Sequence, residues 1–162
     1  MLHEKYGDLL SVRKGILCHQ VNYHGAMGGG VAAAIADQIL TESEYASYVD
    51  YCRKRGRAAL GSVQFMGTAP LVVANMFCQD EILARSNTGN KFCITDYERM
   101  RECFERVRDM ARVLGLPVYI PRNIGCGIAG GDWERVKQII QEIFENNDRV
   151  TATIVARKEA GK

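Results

Sequence analysis

The sequence lacks the marks of export, of membrane insertion and of metal binding. Its N-terminus, Met1–Lys5, does not show the basic and then apolar pattern of a signal peptide. No apolar run approaches the roughly 18 residues that crossing a bilayer requires. The six cysteines are scattered, without a C-x-x-C pair or the Cys and His spacing of a zinc site. We therefore expect a cytoplasmic protein with reduced thiols and with no metal or cofactor.

The sequence also lacks a strong excess of either charge. Its 21 Lys and Arg residues against 19 Asp and Glu residues leave a formal net charge of +2, which gives no support for binding to nucleic acid or to a membrane surface. At 162 residues the chain is long enough to bury one core. No linker, repeat or low-complexity segment divides it, so we expect one domain over residues 1–162, present as a monomer.

Two familiar nucleotide-binding motifs are absent as well. The spacing Gly25-x-x-Gly28 is not G-x-G-x-x-G, and no acidic residue ends a second strand about 20 positions later, which argues against a Rossmann dinucleotide site. No Lys-Ser or Lys-Thr pair follows the glycines, which excludes a Walker A loop. A phosphate site in this chain would therefore rely on backbone N–H groups without a lysine.

Glycine is concentrated in two short windows, Gly25–Gly30 and Gly125–Gly131, which hold eight of the sixteen glycines. Each window follows a strand-like apolar run and precedes a helical segment. Free backbone N–H groups and the positive end of the helix dipole favour an anion at such a junction. Two such loops predict a diphosphate held from both sides. The alternative is that the glycines only form tight turns.

Strand-like and helix-like segments alternate along the chain. Apolar and β-branched runs predict strands over 16–21, 62–66, 71–77, 118–121 and 150–156. Helical spacing of apolar residues predicts helices over 31–40, 42–55, 97–114 and 133–144, and a polar loop is predicted over 86–91. This alternation predicts an α/β sandwich with a mostly parallel or mixed sheet. Its ligand site would lie at the carboxyl ends of the strands.

Several polar residues near these turns have two interpretations each. Asn22 either hydrogen-bonds a sugar hydroxyl or forms an Asx turn. His19 faces the side of its strand opposite to Asn22 and is a candidate core histidine. Asp8 either accepts a hydrogen bond from an exocyclic amine or caps a turn, and Asp132 is either an acid catalyst or a helix cap. Cys126 is either a low-pKa thiol beside a helix start or a small filler.

Two stretches of the sequence carry a family resemblance. Residues 19–32, HQVNYHGAMGGGVA, resemble the first ligand loop of a macrodomain, and residues 120–133, IPRNIGCGIAGGDW, resemble the second. The early Gly7-Asp8-Leu9 is similar to the segment that meets adenine in that family. With the order of elements, the resemblance covers essentially the whole chain. It implies a three-layer α/β/α sandwich with a mixed, mostly parallel central sheet that binds ADP-ribose.

The resemblance also implies where each part of ADP-ribose would lie. Asp8 and Leu9 would meet adenine, and Asn22 would lie near the distal ribose. The diphosphate would lie between two sets of residues, Gly28, Gly29, Gly30 and Val31 on one side and Gly125, Cys126, Gly127, Ile128 and Ala129 on the other.

The chain departs from the catalytic patterns of the related branches. Macrodomains that hydrolyse mono-ADP-ribosyl esters have an aspartate where Ala32 stands here. The glutamate-specific hydrolases use a lysine after the central strand, where residues 77–80 read Phe-Cys-Gln-Asp, and an aspartate in the second loop, which offers Ala129. The yeast-type ADP-ribose-1″-phosphate phosphatase pattern has a histidine three residues before the asparagine, and His19 matches it.

The leading prediction is a macrodomain that binds ADP-ribose and hydrolyses a derivative such as ADP-ribose-1″-phosphate. His19 would act on the proton, with Asn22 and Asp132 as further catalytic candidates. One alternative is a non-catalytic reader of free or protein-linked ADP-ribose, which the missing catalytic pairs favour. Another is an ADP-ribosyl hydrolase acting on modified protein or nucleic acid, although no basic stripe supports a nucleic-acid partner.

Overall fold

A computed structural model of the chain describes residues 1–86 and 92–158. The strands of this part are β1 (Leu2–Tyr6), β2 (Gly15–Val21), β3 (Val63–Met66), β4 (Leu71–Phe77), β5 (Val118–Pro121) and β6 (Ala152–Ala156). The α-helices are α1 (Gly30–Gln38), α2 (Glu42–Arg55), α3 (Glu81–Ser86), α4 (Tyr97–Leu114) and α5 (Trp133–Phe144). Short 3₁₀ turns occupy Leu9–Ser11 and Gly56–Ala59.

The strands form one six-stranded sheet in the order β1-β6-β5-β2-β4-β3. Every neighbouring pair is parallel except β3 and β4, which are antiparallel. The predicted mixed, mostly parallel sheet is therefore confirmed. The carboxyl ends of β2, β4 and β5 consequently meet at the same edge of the sheet.

The two faces of the sheet bury two different sets of helices. On β4, Val72, Ala74 and Met76 join the cluster that contains α4 and α5, whereas Val73 and Phe77 join the cluster that contains α1 and α2. Alternate residues of a strand point to opposite faces, so helices cover the sheet on both sides. The three-layer α/β/α sandwich is confirmed.

The sequence prediction missed β1 and α3 and placed the start of β6 two residues early. In β1 only Leu2 is partly buried and the other four residues are exposed, so the apolar alternation that identifies a strand is missing. The strand forms because it pairs with β6, from Leu2 opposite Ala152 to Tyr6 opposite Ala156. Of the polar loop predicted over 86–91, Ser86 ends α3, and residues 87–91 lie outside the described residues.

Helix boundaries follow the capping signals in the sequence. α2 begins with a capping box, in which the Thr41 hydroxyl accepts from Glu44 N–H while the Glu44 carboxylate accepts from Thr41 N–H. α4 ends at Gly115, whose φ of 64° is left-handed. α5 begins after Asp132, whose carboxylate accepts from Glu134 N–H at 3.1 Å. None of the helices in the described ranges has the length and apolar character that a bilayer crossing needs.

The core beneath α4 gives a first test of this packing. Phe104 on α4 is fully buried and meets Phe144 of α5 edge to face, with ring centroids 6.0 Å apart. We expect Phe104→Ala to lower the free energy of unfolding by about 3–5 kcal/mol, because it removes a large apolar side chain and leaves a cavity. Urea denaturation measures this loss. Val113, on the same helix but 81% exposed, supplies the matched control, since Val113→Ala should change stability by less than about 0.5 kcal/mol.

Candidate ligand-binding cleft

A cleft of about 400 Å³ opens at the carboxyl ends of β2, β4 and β5. Three parts of the chain line it: residues 19–22 and 26–32, Gln79, and residues 121–129 apart from Cys126. The first part contains the loop between β2 and α1, and the third contains the loop between β5 and α5. The two glycine windows therefore face one cleft, as predicted from their positions in the sequence.

The first loop is shaped by Asn22 and anchored to α2. The Asn22 carboxamide accepts from His24 N–H at 2.9 Å and donates to the Ala26 carbonyl at 2.8 Å. The first of these bonds is an Asx turn, so that interpretation of Asn22 is confirmed, and the residue also lines the cleft. The Tyr48 hydroxyl, from α2, donates to the Asn22 carbonyl at 2.7 Å. This loop is thus held from beneath, which leaves its glycines facing the cleft.

The glycines of the first loop border open space. A Cβ on Gly28 or Gly30 would meet no protein atom within 4 Å, and one on Gly29 would meet only Ile128 Cδ1, at 3.6 Å. Gly30 has a φ of 57°, which favours glycine. The N-cap residue of α1 is Gly29, which makes no side-chain cap hydrogen bond. The first N–H groups of this helix therefore lack a capping side chain and are available to an anion in the cleft.

The second loop differs from the first in being tightly packed, so that it has no room for a side chain at Gly125. Gly125 has a φ of 71°, and a Cβ there would lie 2.9 Å from Gln20 Oε1, 2.9 Å from Met100 Cε and 3.0 Å from Thr95 Oγ1. The Thr95 hydroxyl donates to the Gly125 carbonyl at 2.6 Å, and Gly131 N–H donates to the same carbonyl at 2.9 Å. The loop is consequently fixed by the residues under it.

His19 lies in the wall of the cleft but is almost completely buried. Only 1% of the residue is exposed, and its Nε2 lies within hydrogen-bond distance of Asn75 Oδ1, at 2.5 Å. Burial lowers the pKa of His19 to about 4, although the hydrogen bond with Asn75 acts in the other direction. The imidazole is therefore neutral at neutral pH. Its Nδ1 has no hydrogen-bond partner among the residues that the structure describes.

The described lining of the cleft carries little charge. Of the described residues that line it, Arg122 alone carries a charged side chain, and its guanidinium carbon lies 6.0 Å from the ring centroid of Trp133. No carboxylate is among the lining residues in the described part of the chain. Such a lining favours an anionic ligand and provides no acidic side chain for general acid–base catalysis.

Next to the cleft, a buried carboxylate connects three elements. Asp80, 1% exposed, accepts from Arg57 Nη2 at 3.0 Å and from the Tyr23 hydroxyl at 3.1 Å. Burial raises the pKa of Asp80, but the hydrogen bonds from Arg57, Ile82 N–H and Tyr23 together hold that pKa below its usual value. Because Tyr23 follows Asn22 directly, its hydrogen bond with Asp80 ties the start of the first loop to the segment after β4.

The structure brings together most of the predicted site residues. Those that line the cleft are His19, Asn22, Gly28, Gly29, Gly30, Val31, Gly125, Gly127, Ile128 and Ala129. Four others are not among its lining residues: Asp8, Leu9, Cys126 and Asp132. Asp8 caps the 3₁₀ turn by accepting from Leu10 N–H at 2.9 Å, and Asp132 caps α5. Both capping interpretations are confirmed, and the ligand or catalytic roles of these four residues stay predictions.

Sequence reasoning missed several lining residues. Arg122, Asn123 and Ile124 lie between the end of β5 and the second glycine window, and Gln20 lies beside His19. Gln20 Nε2 donates to Thr95 Oγ1 at 3.1 Å, across 75 positions of sequence. Residues 122–124 could have been predicted to line the cleft, because they directly follow a predicted strand. The contact between Gln20 and Thr95 could not, because nothing in the sequence near either residue indicates it. Within the described ranges, no group of three or more His, Cys, Asp or Glu residues is placed to hold a metal ion.

Comparison with known proteins agrees with this geometry. The ADP-ribose 1″-phosphate phosphatase of Candida albicans is 26% identical over 144 residues, which cover 83% of this chain and 84% of that protein. A macrodomain protein from Streptomyces coelicolor superimposes with a TM-score of 0.72 and 28% identity, over 99% of this chain and 100% of the other. A protein from Bacteroides thetaiotaomicron superimposes with a TM-score of 0.81 and 28% identity, over 96% and 99%. No protein-family model matches the chain.

The sheet order, the cleft between two glycine loops and these similarities define one class of protein. In sequence and in fold, the chain is similar to macrodomains. The resemblance inferred from residues 19–32 and 120–133 is confirmed.

The two loops should respond differently to an added methyl group. We expect Gly125→Ala to lower the free energy of unfolding by about 2 kcal/mol or more, because its φ is left-handed and its Cβ would meet three groups within 3.0 Å. Gly28→Ala, whose Cβ meets nothing, is the matched control and should leave stability within about 0.5 kcal/mol of the wild type. Equal losses for the two variants, measured by urea denaturation, would contradict this account of the loops.

The buried His19 should make stability depend on pH. Its pKa is lowered to about 4 in the folded state, so the unfolded chain binds more protons at mildly acidic pH and stability falls as the pH decreases through the range from 6.5 to 4. We expect a loss of about 2 kcal/mol from this group between about pH 7 and about pH 5. Urea denaturation at the two pH values should show that His19→Gln, which cannot titrate, lacks this part of the loss.

Proposed function

We propose that this macrodomain binds ADP-ribose or a derivative of it in the cleft and hydrolyses ADP-ribose-1″-phosphate to ADP-ribose and phosphate. The observation that carries the proposal is that the two glycine loops face each other across the cleft. A Cβ added to Gly29 in the first loop would lie 3.6 Å from Cδ1 of Ile128 in the second. The volume of about 400 Å³ is within the range of small-molecule sites. The name of the Candida albicans relative supports the same ligand class.

The diphosphate would bind between the loops. On one side, the first turn of α1 offers N–H groups without a capping side chain. On the other side, Gly125 and residues 127–129 border the same space. Backbone N–H groups and the helix dipole stabilise negative charge without needing a lysine. This arrangement supports binding of a diphosphate, and Arg122 at the rim adds the one cationic side chain among the described lining residues.

With the diphosphate between the loops, the two ends of the ligand would point in opposite directions along the edge of the sheet. The distal ribose would lie near Asn22 and His19, which line the cleft at the end of β2. Adenine would lie toward Asp8 and Leu9, at the turn that follows β1. The exocyclic amine of adenine is a hydrogen-bond donor, and the Asp8 carboxylate would accept from it.

Hydrolysis would proceed by attack of water on the 1″-phosphate. The water oxygen forms a bond to phosphorus, the bond between phosphorus and the 1″ oxygen breaks, and the proton of the water passes to His19 Nδ1 before it protonates the leaving oxygen. A histidine with a pKa of about 4 is a weak base, so most of the rate enhancement would come from orientation and from N–H groups facing the phosphoryl charge. The low pKa keeps Nδ1 unprotonated and able to accept a proton.

One observation favours a second candidate, a reader that binds ADP-ribose without turnover. The described lining residues include no carboxylate. Ala32 and Ala129 stand in place of the catalytic aspartates of other branches, and residues 77–80, Phe-Cys-Gln-Asp, stand where one branch has its lysine. A macrodomain that only binds ADP-ribose needs none of these groups. His19 matches the histidine of the phosphatase pattern, which favours the phosphatase over a protein hydrolase.

Two measurements on the same sample test these alternatives. Calorimetric titration with ADP-ribose should give binding, and chromatography of ADP-ribose-1″-phosphate incubated with the protein should show ADP-ribose and phosphate. Binding with the ester left intact would support the reader, and a lack of binding would overturn the assignment of the cleft. Gly29→Tyr should abolish binding because its side chain fills the space between the loops, while the exposed Val113→Ala should bind as the wild type does.

His19 separates the phosphatase from the reader by mutation. We expect His19→Gln to lower the rate of phosphate release by about a hundredfold, since it removes the proton acceptor, and to leave the Kd for ADP-ribose within about twofold, since the diphosphate contacts are elsewhere. Rates and titrations on the folded variant check both numbers. Turnover at the wild-type rate would show that His19 is not the base.

A further inference from the structure

The His19 side chain belongs to a row of three polar side chains that crosses three strands. His19 on β2 is paired with Asn75 on β4, and Asn75 is paired with Gln64 on β3. The side chains are also linked, since His19 Nε2 contacts Asn75 Oδ1 at 2.5 Å and Asn75 Nδ2 donates to Gln64 Oε1 at 3.2 Å. His19 and Asn75 are 1% and 0% exposed. Buried polar groups in such a row are costly unless each is satisfied.

The row has a definite direction of donors and acceptors. Gln64 Nε2 faces Ser47, whose carbonyl and hydroxyl lie at 3.4 Å, so Gln64 Oε1 faces Asn75. The Asn75 amide group then donates to Gln64 Oε1 and also lies 3.1 Å from Met66 Sδ. The atom of Asn75 that faces the imidazole is therefore Oδ1, which can only accept a hydrogen bond. His19 Nε2 must therefore carry the hydrogen.

A neutral imidazole carries one hydrogen, so Nδ1 of His19 is the nitrogen with the free lone pair. That atom is buried and has no partner among the described residues, while the residue itself lines the cleft. A buried acceptor without a partner is unfavourable, because it has lost its hydrogen bonds with water and gained none in exchange. Water or a ligand hydroxyl entering from the cleft would supply the missing donor.

We propose that Asn75 is a positioning residue, which holds His19 in the Nε2–H tautomer and leaves Nδ1 as a hydrogen-bond acceptor toward the cleft. Asn75 itself does not line the cleft and acts only through the imidazole. This role rests on the proposed function, since it gives the proton-accepting nitrogen of the hydrolysis its free lone pair. The tautomer itself is a property of the protein without substrate and is measured separately.

The tautomer is read directly by long-range ¹H–¹⁵N spectra of ¹⁵N-labelled protein, with the His19 signals assigned by their loss in His19→Gln. We expect the wild type to show hydrogen on Nε2 and none on Nδ1. Asn75→Leu should give a mixture of tautomers or the Nδ1–H form, because the acceptor is gone. Asn75→Asp, which keeps an acceptor oxygen, should retain the Nε2–H form.

Turnover and ligand binding supply the second readout. Asn75→Leu should lower kcat for ADP-ribose-1″-phosphate by at least about tenfold with little change in KM, and Asn75→Asp should recover part of that loss. In a sample that binds ADP-ribose, the Nδ1 signal of the wild type should shift on addition of ligand. Cys18→Ala is the matched control, since Cys18 is buried on β2 but packs in the cluster with α4 and α5, so it should lower stability without changing the tautomer.

The outcomes separate the two proposals. An Nδ1–H tautomer in the wild type, an unchanged tautomer in Asn75→Leu, or an Nδ1 signal that ignores bound ADP-ribose would overturn the role of Asn75. Intact ADP-ribose-1″-phosphate after incubation with the wild type would overturn the proposed phosphatase activity alone. In that case the tautomer of the wild type and of Asn75→Leu decides the role of Asn75 without reference to turnover.

Discussion

The parallel pairing of β2 with β4 on one side and β5 on the other is the constraint on which the site depends. Parallel strands end at one edge of a sheet, so this pairing brings together residues that are far apart in sequence, Asn22 after β2, Gln79 after β4 and Arg122 after β5. Apolar burial on both faces of β2 fixes the register. A shift by one residue would turn His19 away from Asn75 and would move Gln20 out from under the second loop.

The two glycine loops line the same cleft but differ in how tightly they are packed. The second loop is held rigidly, because Gly125 is packed against Gln20, Met100 and Thr95. The first loop is anchored through Asn22 to Tyr48, yet a Cβ added to Gly28 or Gly30 would meet nothing within 4 Å. One wall of the cleft is therefore fixed by packing, and the other is kept open by the absence of side chains. This difference explains why both walls contain glycine although only one is crowded.

Much of the fold could be predicted from the sequence, because its signals are local. The capping residues Asp132 and Gly115 and the apolar faces of α4 and α5 marked their elements correctly. β1 could not be predicted, since its residues are exposed and it exists only by pairing with β6. Within the site, the glycine windows identified both walls of the cleft. The partnership of His19 with Asn75 could not be found in this way, because it depends on a strand register that joins positions 56 residues apart.

The almost uncharged lining of the cleft has a consequence for how the protein would respond to its surroundings. A site that holds a diphosphate with lysines exchanges bound counterions for the ligand, so its affinity falls steeply with salt. Here the described lining offers peptide N–H groups and a single arginine, so few counterions would be displaced when a diphosphate enters. Its affinity would then vary little with the ionic strength of the surrounding solution, and the concentration of free ligand would largely set its occupancy.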